Sequence, residues 1–75
     1  MRHEVFQSAT FNYLTFKSTK KGLELTGETK EGIELGDEVQ NPNNGKQYLI
    51  VKEITERRDS RDYPEGNNYF YSIIL

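Results

Sequence analysis

The strongest constraint on this chain is a two-residue rhythm. Leu23 and Leu25 alternate with Glu24 and Thr26, and Ile33 and Leu35 flank Glu34. Denser apolar runs occupy Phe11 to Phe16, Tyr48 to Ile54 and Tyr69 to Leu75. Side chains of a strand point alternately to opposite faces, so this spacing buries one face of a sheet. No segment repeats apolar residues at i, i+3, i+4 and i+7 over a helical length. The one helix candidate, Glu53 to Asp62, is charged and has no apolar stripe after Ile54, and it reads as a solvated loop.

The punctuation fits strands. Lys20-Lys21-Gly22 reads as a tight turn, and Gly27 and Gly32 bracket a second break. Asn41-Pro42-Asn43-Asn44-Gly45 is the strongest turn signal, because Asn-Gly tolerates the positive φ that a hairpin turn demands. The strands on either side, about 37–40 and 47–54, are expected to pair antiparallel. Tyr69 to Leu75 is apolar at nearly every position, as in a strand covered on both faces. The expectation is one all-β domain over residues 1–75, a small closed or partly open antiparallel barrel of five to seven strands. Its expected core draws on Phe11, Leu14, Phe16, Leu23, Leu25, Ile33, Leu35, Val39, Ile50, Ile54, Tyr71 and Ile73. The face choice within Tyr48 to Ile54 is open, since a slip of one residue inverts it.

Composition narrows the function classes. Only 33% of the 75 residues are apolar, yet five tyrosines and four phenylalanines supply large area per residue, which disordered chains lack. Cysteine is absent, so neither a disulfide framework nor a thiolate metal site is expected. His3 is the lone histidine, and a transition-metal site lacks its usual ligands. Asp59, Asp62 and Glu65 do not follow calcium-loop spacing. No apolar run suits a signal peptide or a membrane span, which points to the cytoplasm. The net charge of -2 weighs against a phosphate-backbone grip.

Gly22 to Val39 reads Gly-Leu-Glu-Leu-Thr-Gly-Glu-Thr-Lys-Glu-Gly-Ile-Glu-Leu-Gly-Asp-Glu-Val. Gly22, Thr26, Gly27, Gly32, Gly36, Asp37 and Val39 follow a pattern that resembles the second-domain β-barrel of translational GTPases of the elongation-factor Tu type. Tyr48 to Ile54 looks like the next strand, and Gly66-Asn67-Asn68-Tyr69 is similar to the glycine before that family's final strand. The resemblance spans Gly22 to Leu75. It implies a small barrel in which Thr26-Gly27 ends a strand, and a module that contacts RNA or the ribosome. The phosphate loop ending in Gly-Lys-Ser/Thr is absent. Independently of any family, Asp37 after Gly36 is placed to accept backbone N–H groups in a turn.

The segment Glu56 to Asn68 is long for a loop between two strands and holds the most chemistry. Arg57, Arg58, Arg61 and Tyr63 offer planar donors and a ring to a carboxylate, an anion or a base. Glu56, Asp59, Asp62 and Glu65 accompany them, so self-pairing is the competing outcome. Tyr69 joins the candidate contact set as the first ring of the last strand. Lys17, Lys20 and Lys21 read as a solubilising turn, and Glu24, Glu28, Glu31, Glu34, Asp37 and Glu38 as a solvent face.

For catalysis, Ser8, Ser18, Ser60 and Ser72 have only His3 as an imidazole base, and a core this small seldom builds a deep cleft. The expected function is a non-enzymatic interaction module that binds a protein partner, without a cofactor. A homodimer through exposed rings of Tyr69, Phe70 and Tyr71 is one form of it. The alternative is an RNA- or ribosome-associated barrel that uses Arg57, Arg58, Arg61 and Tyr63.

Overall fold

The structure is a computed structural model that describes residues 3–60 and 68–75. Among the described residues seven strands form two sheets. β1 is Val5–Phe6, followed by a 3-10 turn at Ser8–Thr10; β2 is Asn12–Thr19 and β3 is Gly22–Thr29. β4 is Glu38–Asn41, β5 is Asn44–Ile50, β6 is Glu53–Ser60 and β7 is Asn68–Ile74. One sheet has the order β1-β4-β5 and the other β2-β3-β7-β6. The all-β class holds. Among the described residues neither sheet closes on itself, so the closed form of the expected barrel is not made. Nor is the pairing wholly antiparallel, since β1 runs parallel to β4.

The sheets share one core. Phe6, Phe11, Leu25, Ile33, Val39, Val51, Tyr71, Ile73 and Leu75 are buried together, with Leu14, Phe16, Leu23, Leu49, Ile54 and Tyr69 packed against them. Two expected core residues are on the surface: Leu35 is 57% and Ile50 52% exposed. The cause lies in the run Tyr48 to Ile54, which is not one strand. β5 ends at Ile50, Val51 and Lys52 turn the corner, and β6 starts in the other sheet. The corner is held by Val51 N–H to Asp37 O at 2.8 Å and Lys52 N–H to Ile74 O at 2.8 Å. Leu49 and Val51 therefore face inward and Ile50 outward, the one-residue slip that reverses a face. Leu35 sits in the turn before Gly36, whose φ is +89°, and not in a strand.

The turns divide between agreement and correction. Lys20-Lys21 forms the two-residue turn between β2 and β3, with Thr19 paired to Gly22. Thr19 Oγ1 donates to Gly22 O and accepts from Lys21 N–H. At the other hairpin the tip is Pro42-Asn43 instead of Asn44-Gly45, because Asn41 Oδ1 accepts Asn43 N–H at 2.8 Å and closes an Asx turn two residues earlier. Gly27 does not end its strand, as the resemblance implied; β3 continues to Thr29.

Gly27 has a different task. β2 bulges between Asn12 and Thr15, and Tyr13 takes φ 55°, a conformation bulky residues seldom adopt. The bulge lies directly against Gly27. A Cβ there would stand 3.3 Å from Asn12 O and Phe11 Cβ and 3.4 Å from Leu14 Cα. Gly27→Ala is therefore expected to push β2 off β3 and cost about 1–3 kcal/mol, read as a lowered urea midpoint at unchanged slope.

Asp37 is the hub of the first sheet. It is 0% exposed, and the expectation that it serves the backbone is met. Oδ1 accepts Glu4 N–H and Oδ2 accepts Glu34 N–H, each at 3.0 Å. One carboxylate thus ties the strand of the N-terminal region to the 34–37 turn. Asp37 is accordingly not part of an acidic solvent face, unlike exposed Glu31 and Glu34.

Candidate interaction site

The segment Glu53 to Asp62, expected as a solvated loop, is strand as far as it is described. Glu53–Ser60 pairs antiparallel with β7, and Glu56 to Ser60 are in unbroken register opposite Ser72 to Asn68. A strand this charged forms because it is an edge, with β7 as its ladder partner and both faces reaching solvent. Ile54 packs against the core, and beyond it Arg57 and Arg58 rest on aromatic rings of β7.

Those rings are distributed by the pleat. Tyr71 points into the core at 0% exposure, and its hydroxyl accepts Ile33 N–H at 3.0 Å. Tyr69 shares that face, half-buried, with its ring 6.1 Å from that of Tyr71. Phe70 lies on the opposite face, in a row that runs from Asn12 through Glu28 and Phe70 to Arg58 across all four strands. Tyr69 and Phe70 are each half-buried, with the guanidinium of Arg57 over the one ring and that of Arg58 over the other.

The arginines follow the same alternation. Arg58 stands directly opposite Phe70, with its guanidinium carbon 4.6 Å from the ring centroid. Arg57 is opposite Tyr71 and leans to the diagonal neighbour, 5.0 Å from the Tyr69 centroid. Ring faces attract cations, at about 0.5–1 kcal/mol for exposed pairs, and hold the guanidinium plane in place. Arg58 Nε also donates to Glu56 Oε1 at 2.7 Å, so the expected self-pairing is made there. Arg57 makes no ion pair among the described residues, and it is an exposed residue with its guanidinium over Tyr69.

Of the five residues named from sequence, Arg57 and Tyr69 are brought together, and Arg58 is placed on the other face of the same strand pair. Arg61 and Tyr63 lie outside the described residues. Phe70 is the site residue that sequence reasoning left out of the contact set; its signal was its position between Tyr69 and Tyr71. The other polar clusters are spent locally. Lys17 pairs with Glu24 at 3.6 Å, Lys21 with Glu53 at 3.5 Å, and exposed His3 with Glu38 at 3.6 Å. Among the described residues no three His, Cys, Asp or Glu side chains converge as a metal would require, and no helix is long and apolar enough to cross a membrane. Comparison with protein-family models, curated proteins and solved structures finds no match for this chain.

Proposed function

We propose that this protein is a non-enzymatic interaction module, and that the β6–β7 pair is its contact surface for a protein partner. The observation that carries this reading is Arg57, an exposed residue held over the Tyr69 ring and uncommitted to an ion pair among the described residues. A guanidinium backed by a ring loses little freedom when a carboxylate docks in its plane, and arginine and tyrosine dominate the energetics of protein contacts. The fold beneath it is, in this reading, a partly open barrel similar to the second domain of translational GTPases.

A protein suits this surface better than RNA does. Glu56 and Asp59 flank the arginines, and the chain carries net charge -2. RNA presents a negative charge at every nucleotide, whereas a protein supplies one carboxylate for Arg57 and donors for its acidic neighbours. Affinity capture from the native cell, followed by titration with the purified captured protein, tests the reading. Arg57→Ala is expected to weaken binding by roughly 30-fold, the loss typical of an interface anchor, while unfolding at nearly the wild-type temperature. Arg57→Lys should rescue little, since an ammonium lacks the planar fork. Capture of RNA that dissociates steeply with salt, or affinity indifferent to Arg57→Ala, would overturn it.

A further inference from the structure

We propose that the free edge of β6 pairs antiparallel with β6 of a second copy of this chain, extending the four-stranded sheet across a two-fold axis at Arg57. The inference starts from the four strand edges that the two sheets leave. β1 is two residues long. β2 is broken by the bulge at Tyr13 and carries Lys17. β5 is irregular at Gln40/Asn41 and carries Lys46. Short length, bulges and lysines are the usual ways in which a sheet edge is closed to further pairing. β6 has its bulge at one end, between Ile54 and Glu56, and its charges are of both signs; from Glu56 to Ser60 five residues in regular register, without lysine or proline, have no strand on their far side among the described residues.

The order of charges on that edge selects the partner. Glu56 and Arg58 project from the outer face of the strand pair, and Arg57 from the inner face between them. Read antiparallel about Arg57, Glu56 of one copy stands opposite Arg58 of the other, and Arg58 opposite Glu56. Both contacts join opposite charges on one face, as cross-strand neighbours must to stabilise a ladder. The pair within one strand, at 2.7 Å, shows that these two side chains reach each other readily. An unrelated strand would need to supply both signs in this order, whereas a second copy supplies them by symmetry. The like-charged contact falls on the axis, Arg57 against Arg57, and each guanidinium there is already drawn onto its own Tyr69 ring. The two-fold also sets both Arg57–Tyr69 pairs side by side on one face, so a partner would meet a doubled site.

Pairing one short strand buries little surface, so the dimer is a weak, reversible one. Sedimentation equilibrium of the purified full chain over a wide concentration range tests it. The mass is expected to rise with concentration from 8.8 kDa toward twice that value. Glu56→Arg alone and Arg58→Glu alone each set like charges opposite each other twice, and each is expected to weaken association at least ~10-fold. The double swap Glu56→Arg, Arg58→Glu restores both attractions and should return association to the wild-type level. Both positions of change are exposed, and matching thermal melts establish that the variants are folded. A mass fixed at 8.8 kDa throughout, association indifferent to the single reversals, or a double swap that fails to restore it would each overturn the proposal. The measurement needs no other protein, so its outcome is independent of the partner binding proposed for Arg57.

Discussion

Replacing Tyr71 by alanine is expected to remove a third or more of the stability of this domain. The ring is fully buried at the centre of the shared core, opposite Gly27 on β3 and Arg57 on β6. Truncating a buried aromatic to alanine costs about 3–5 kcal/mol, as transfer energy plus the cavity left behind. A domain of this length has on the order of 4–11 kcal/mol in total. Urea unfolding followed by circular dichroism should show the midpoint falling by a third or more. Tyr71→Phe separates the ring from its hydroxyl. It keeps the packing and strands one buried donor, Ile33 N–H, at about 1–3 kcal/mol. Equal damage from the two variants would mean that the hydroxyl, and not the packed ring, holds this core.

The second large effect is expected at Asp37. Its carboxylate accepts two backbone N–H groups from segments 33 and 3 residues away, and it is fully shielded from water. Hydrogen bonds to a charged acceptor contribute about 1.5–3 kcal/mol each, and their donors are left facing a void in Asp37→Ala. A loss of about 3–6 kcal/mol follows from those two bonds. Asp37→Asn should fall between, because the amide oxygen keeps one N–H and the NH2 group opposes the other. Amide hydrogen exchange gives the local signature: Glu4 and Glu34 should lose protection before the β3–β7 ladder does. Unchanged protection at those two amides in Asp37→Ala would show that the carboxylate is not their acceptor.

Both predictions concern residues that were legible before any coordinates. Asp37 was readable because a carboxylate after glycine has few roles other than serving nearby backbone. Tyr71 was readable because a run apolar at nearly every position marks a strand covered on both faces. Ile50 was not readable. Alternation can be counted only from a known start, and the switch of sheets at Val51 and Lys52 resets the count without any glycine or proline to mark it. β1 was missed because two residues carry no period, although its Phe6 is core.

The site was legible as a list and not as a geometry. Arg57, Arg58 and Tyr69 could be named for their donors and ring, but β6 read as a loop because its apolar complement lies in β7. Hydrophobic patterning within one segment cannot register a strand whose charged side chains are covered by another strand's rings. Only the register of β6 on β7 sends Arg57 to Tyr69 and Arg58 to Phe70 on opposite faces.

Photo-crosslinking in the native cell addresses the contact surface most directly. A benzophenone side chain would replace Asp59, which shares the Arg57 face, and in a separate protein would replace exposed Gln47 on β5. The reading offered for β6–β7 predicts a discrete protein adduct from position 59, lost when Arg57→Ala is added and absent from position 47. An RNA adduct, or equal capture from both positions, would contradict it.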